Sequence, residues 1–183
     1  NEMTEVKRPL GRRAARSFQR HLNNQIMTLG RGGDWGAILR LWEQEPESYR
    51  ANSLLVASTM SSLGRLRRPA HQRVLRDPRF HALQDFVADR LQQDLRWFGA
   101  RRVANIFHAQ GKLGLSDRRD VFHPLYDDNT VEWLLKEGST RHVASIAWSC
   151  GTLGMRGSSR KFFRAITRPD YFENQLLLSR TSK

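Results

Sequence analysis

Two stretches of this chain, forty residues apart, repeat each other. VANIFHAQGKLGL (103–115) aligns with VASIAWSCGTLGM (143–155), with identities at Val103/Val143, Ala104/Ala144, Ile106/Ile146, Gly111/Gly151, Leu113/Leu153 and Gly114/Gly154. A weaker third copy is SLLVASTMSSLGR (53–65), whose Leu63-Gly64 pairs with Leu113-Gly114 at a step of 50. A period near forty is the size of two helices with their turns. A chain built this way must bury the apolar face of each unit against its neighbours, which favours a stacked array over a closed globule.

Each copy has the pattern of a helix. Val143, Ile146, Ala147 and Cys150 fall at i, i+3, i+4 and i+7, and Val103, Ile106, Phe107 and Gln110 repeat that spacing. The Leu-Gly ending is a helix stop, with glycine taking the left-handed position. Gly111 and Gly151 occupy one repeat position inside the helix, where glycine costs about 1 kcal/mol relative to alanine. Their coincidence predicts close approach of a neighbouring helix at both.

A partner helix precedes each copy. Asp34 is placed to cap a helix with Trp35, Ile38, Leu39 and Trp42 on one face and Pro46 just beyond its end. Leu83, Phe86, Val87 and Leu91 mark a second, ending near Gly99. Val131, Leu134 and Leu135 mark a third, capped by Asn129 or Thr130 and stopped by Gly138. Gly30, Gly32 and Gly33 read as a turn before the first hairpin. No segment has the alternation of a strand. The expected fold is all-α: an α-solenoid of about three helix hairpins, near 34–64, 80–114 and 130–154, with an incomplete fourth at 160–180. A basic N-terminal arm (1–30) precedes the repeat domain (31–183). In that arm Leu10, Ala14, Phe18, Leu22 and Ile26 step by four along one helical face.

Charge points to the partner. Net charge is +13, and of 31 positive residues 26 are Arg and five Lys. The planar guanidinium fork matches phosphate oxygens, and such an excess repels itself unless a polyanion neutralises it. Nucleic acid is the first candidate and an anionic membrane surface the second. The charge is also clustered. Segment 7–20 holds six positive residues and no acid, 64–82 six Arg against one Asp, and 156–169 five positive residues and no acid. No apolar run approaches the roughly 18 residues of a membrane span.

Enzyme chemistry finds no constellation. Asp127-Asp128 reads as a turn and helix cap sooner than a metal pair, and the single cysteine, Cys150, lies on the apolar stripe with no base beside it. The six histidines have no metal-binding spacing, and His108 aligns with Trp148 as a packing position. No cofactor, metal, catalytic residue or small-molecule substrate is expected.

Two parts of the chain resemble the octotricopeptide and heptatricopeptide repeat proteins, organellar RNA-binding proteins often carrying a RAP domain. One is LNNQIMTLGRGGDWGAILRLWEQEPESYRANSLLVASTMSSLGRL, similar to the opening hairpin of such arrays. The other is the helix pair VANIFHAQGKLG and VASIAWSCGTLG. The chain carries neither a RAP-like segment after the repeats nor the PPPEW-type sequence common in octotricopeptide repeats. The resemblance implies an RNA-binding protein of mitochondria, or alternatively of plastids. The short members that serve as structural ribosomal subunits suit this chain best, with rRNA and other ribosomal or ribonucleoprotein subunits as partners. The alternatives are a protein–protein scaffold or assembly factor and an mRNA processing or translation factor.

The expected RNA contacts are arginines near the starts of second helices: Arg50, Arg101, Arg102, and Arg141 with His142. Helix N-termini present free N–H groups that favour phosphate. Connector clusters extend that surface, with Arg65, Arg67, Arg68, Arg73 and Arg76 in one, and Arg156, Arg160, Lys161 and Arg164 in the other. The arm adds Arg12, Arg13, Arg16 and Arg20.

Overall fold

The computed structural model describes residues 12–155, 157, 159–171 and 173. Among them every regular element is helical. The expected contribution of residues 1–11, including Leu10, and most of the expected fourth hairpin beyond residue 171 lie outside the described residues.

Helix α1 (Arg12–Gly32) leads into α2 (Trp35–Gln44), the single turn-and-a-half of α3 (Pro46–Ala51) and α4 (Ser53–Gly64). Then come α5 (Arg68–Leu75), α6 (Pro78–Asp94) and, after a 3-10 turn at Leu95–Trp97, α7 (Ala100–Leu113). A 3-10 segment, Arg119–Tyr126, precedes α8 (Asp128–Glu137), α9 (Thr140–Thr152) and α10 (Arg160–Ile166). Asp34 caps α2 as expected, accepting the Ala37 N–H at 2.9 Å. The cap of α8 is Asp127, which accepts the Thr130 N–H at 2.7 Å, ahead of the expected Asn129 or Thr130. The helix therefore starts at Asp128, and the Asp-Asp pair is spent on starting it.

The helices pack in two rows. In one, α1 lies against α4, α4 against α7, and α7 against α9. In the other, α2 meets α6, α6 meets the 119–126 segment, and that segment meets α8 and α10. Between the rows lies one core that runs from Leu22 and Ile26 through Tyr49, Met60, Phe80 and Phe107 to Phe122, Ile146 and Phe162. Helix α4 is buried on most of its surface because α1 and α7 flank it. Polar links cross between the rows at Gln84: the Gln110 amide donates to its carbonyl at 2.6 Å, and its own amide donates to the Met60 sulfur at 3.4 Å, which gives the glutamine on the apolar stripe a partner.

Several expectations need correction. The basic arm does not end at residue 30 as a separate element. Helix α1 runs through Gly30 and Gly32, its Leu22 and Ile26 belong to the core, and only Gly33, at φ +78°, makes the turn.

The repeat register also differs. Gly114 and Gly154 take the left-handed conformation after their leucines, at φ +72° and +66°, but Gly64 is helical, the last residue of α4. Its structural counterpart is Gly111. A Cβ on Gly64 would come within 3.0 Å of Ala109 Cα, and one on Gly111 within 3.2 Å of Ser149 Cα. The same relation holds one helix earlier, where a Cβ on Gly30 would lie 2.7 Å from Ser62 Cβ. Gly30, Gly64, Gly111 and Gly151 thus align, with steps of 34, 47 and 40, and α1 supplies a copy that the sequence repeat does not reveal. In this register Val56-Ala57 matches Val103-Ala104 and Val143-Ala144, and Leu66 matches Leu113 and Leu153. The step of 50 that Leu-Gly alone suggests is three residues out, and α5 fills the extra length of the longest step. At Gly151 the expected close approach is absent: nothing lies within 4 Å of the place a Cβ would take, because no described helix succeeds α9 in its row.

Candidate nucleic-acid interface

The solvent side of α4, α7 and α9 forms a groove of about 1060 Å³, closed at one end by the start of α5. The register explains its lining. Arg101, Asn105, His108 and Lys112 fall at i, i+4, i+7 and i+11 of α7, one face of a helix, and Arg141, Ser145, Trp148 and Thr152 repeat them on α9. Ser61 and Arg65 take the corresponding places on α4. The apolar stripe on the opposite face of each helix fixes this polar stripe outward, so packing of the core aligns the groove side chains across the row.

Every charged side chain lining the groove is positive. Arg65, Arg68, Arg101, Lys112 and Arg141 contribute, with no aspartate or glutamate among the lining residues. Among the described residues none of the five lies in an ion pair. Three histidines record the resulting field. Burial lowers the pKa of His108, and the charges of Lys112, Arg141 and Arg65, one from each wall helix, lower it further. His71 is depressed by burial and by Arg68 and Lys112, against a hydrogen bond to the Leu66 backbone that raises it. His142 is depressed by burial, Arg101 and Arg141, and its Nδ1 accepts the Ser139 N–H at 3.2 Å. His71 Nε2 and His108 Nδ1 are buried without a hydrogen-bond partner.

Trp148 adds an aromatic surface. Its ring centroid lies 4.8 Å from that of His108, and the Lys112 ammonium sits 5.2 Å from its centroid. The side chain is nevertheless 42% exposed. The expectation that positions 108 and 148 serve only to pack is therefore incomplete: both face the groove.

Of the arginines expected to bind RNA, the groove brings together Arg65, Arg68, Arg101 and Arg141, with His142. The others stand elsewhere. Arg50 is in α3 and pairs with Glu47, and Arg102 turns back to donate to the Phe98 carbonyl at 3.0 Å. Arg73 lies on α5 and Arg67 and Arg76 flank it, but none of the three lines the groove, and Arg160 and Arg164 are on α10. Lys161 pairs with Asp128 at 2.7 Å. Arg13, Arg16 and Arg20 stand on α1, Arg12 opens that helix, and Arg156 lies outside the described residues. Sequence reasoning misses Lys112, His71, His108 and Trp148 as groove residues. The i, i+4, i+7, i+11 stripe opposite the apolar one finds all but His71, which the α5 insertion brings in.

Cys150 is buried, and its thiol is pushed up to about 12 by that burial, which removes thiolate chemistry near neutral pH. Among the described residues no group of three His, Cys, Asp or Glu is placed to hold a metal ion, and no helix is long and apolar enough to cross a membrane. Comparison of the chain with protein-family models, curated proteins and solved structures gives no match.

Proposed function

We propose that this protein is an RNA-binding helical-repeat protein whose two rows are a short α-solenoid and whose groove holds RNA phosphates. The observation that carries the reading is a groove with five cationic side chains and no carboxylate, left without internal counter-charge. Such a surface repels itself until an anion enters, and a polyanion lying across α4, α7 and α9 meets cations from each. The contacts are to phosphate, so they position the RNA without reading its sequence. The resemblance to organellar repeat proteins carries the reading further, to a structural ribosomal protein of mitochondria in contact with rRNA.

Two measurements test it. Affinity for a short RNA should fall steeply with salt, by at least about 10²-fold between about 50 and 200 mM if the five groove cations each neutralise a phosphate. A flat response excludes phosphate-dominated binding. In organelle lysate the protein should sediment with a ribosomal subunit and shift to light fractions after RNase, whereas sedimentation free of RNA removes the ribosomal assignment.

A further inference from the structure

We infer that the groove takes single-stranded RNA, with an unpaired base stacked on the open face of Trp148. This rests on the RNA-binding reading above and adds a base subsite to it. The position Trp148 occupies on α9 is that of His108 on α7 and Ser61 on α4, and all three line the groove. His108 meets the next helix through the Trp148 ring itself. Among the described residues Trp148 has no such successor: His108 and Lys112 lie against its ring, and Gly151, on the adjoining turn of α9, has nothing within 4 Å of the place a Cβ would take. A large aromatic surface is therefore packed against His108 and Lys112 and still 42% exposed, within a cationic site.

The surrounding charges say what covers it. Arg101 and Arg141 stand at the N-terminal ends of α7 and α9, and Lys112 lies eleven residues along α7, about 16 Å of helix axis from Arg101. Arg65 lies at the Lys112 end on α4. Between the two cationic ends the lining is Asn105, Ser145, His108 and Trp148, uncharged donors and acceptors beside a ring. This order, phosphate-binding ends around a polar and aromatic middle, matches a strand with its bases splayed from its backbone. In duplex RNA the bases are paired and stacked on one another and offer Trp148 no free face. A protein helix continuing the row would have to bury Arg141 and Lys112 against itself, and it is the competing occupant.

The test uses the full chain with three probes: a twelve-nucleotide oligouridine, a duplex RNA of the same length, and inorganic polyphosphate, which carries charge without bases. Trp148→Leu should weaken oligouridine binding by about tenfold, leave polyphosphate affinity within about twofold, and erase the preference for single strands. Trp148→Phe should keep most of the affinity. Photo-crosslinking of 5-bromouridine-substituted oligomer to the unmodified protein should map to Trp148, which makes the inference independent of any variant's folding. Unchanged oligouridine binding by Trp148→Leu, equal loss for polyphosphate, or a crosslink confined to other residues overturns the stacking site. Concentration-dependent self-association, abolished by Trp148→Leu and insensitive to RNA, overturns it in favour of a protein occupant. If Arg101→Gln with Arg141→Gln still weakens all three probes, the phosphate groove survives that failure. If the unmodified protein binds none of the probes, both readings fall together.

Discussion

Arg79, Arg118 and Lys161, along the row that contains α6, the 119–126 segment and α10, each lie within ion-pair distance of a carboxylate: Asp77 at 2.6 Å, Asp120 at 2.7 Å with Asp85 at 2.9 Å, and Asp128 at 2.7 Å. Across the molecule, among the described residues, Arg65, Arg101, Lys112 and Arg141 have none. The two sides use the same side chains for different ends. On the first, these three cations hold loops and helix starts: Asp77 and Arg79 fix the beginning of α6 and Arg118 ties the 119–126 segment to α6. On the second they are left with surplus charge. A polyanion that binds there displaces no internal carboxylate, so its Coulomb attraction is not spent on breaking ion pairs.

The sharpest way to break this contrast is to neutralise each side in turn. Arg65→Gln, Arg101→Gln and Arg141→Gln together should weaken RNA binding severely, with the salt slope reduced by about 0.7 for each single-strand phosphate no longer neutralised, while the thermal midpoint stays close to that of the parent. Arg79→Gln, Arg118→Gln and Lys161→Gln should do the reverse, lowering the midpoint and sparing affinity. Equal effects of the two triples on RNA binding would show that charge counts and placement does not.

Packing along the row allows a second contrast. Gly111→Leu should destabilise the protein by about 1–3 kcal/mol in chemical denaturation, because the added side chain runs into the backbone of α9 at Ser149. Gly151→Ala, at the same register position with open space around it, should be neutral or stabilising by up to about 1 kcal/mol. A loss at Gly151 comparable to that at Gly111 would mean that something covers α9.

The smallest effect is on pH. The groove histidines have folded-state pKa values below the ordinary 6.5, so the unfolded chain binds more protons as pH falls through that value. Stability contributed by keeping them neutral is present above about pH 6.5 and lost below it, before the depressed carboxylates of Asp77 and Asp120 begin to titrate. RNA phosphate favours the protonated ring, so affinity should strengthen between about pH 7.5 and 5.5 while the midpoint of the free protein declines. Fluorescence anisotropy and thermal melts over that range measure both. Replacing His108 and His142 by Gln should flatten the affinity trend.

The helical content and the stacking of α7 and α9 were legible because the apolar stripes of 103–110 and 143–150 have an unambiguous period, whereas α1 has no repeat signature and its place in the row was not. The register of α4 was not, since Leu63-Gly64 imitates the stop at Leu113-Gly114 although Gly64 is still helical and is a contact glycine against Ala109. The local ion pairs Glu47–Arg50, Asp77–Arg79 and Arg118–Asp120 are two or three residues apart and could have been set aside as already satisfied. Lys161–Asp128 spans 33 residues, and no local pattern reveals it. Trp148 looked like core because tryptophan in a repeat helix usually is. Its exposure depends on whether another helix follows α9 in the row, which the residues of α9 alone do not reveal.

In the row α1, α4, α7, α9, order along the chain equals order in space. Each of these helices docks on one synthesised 34 to 47 residues earlier, so no element waits for a distant partner, and the contacts have the short loop-closure distances of fast-folding helical proteins. During synthesis the row grows from its first member outward, one layer at a time. Arg141 and Trp148 arrive with α9, and until it docks the nascent chain has only part of its groove.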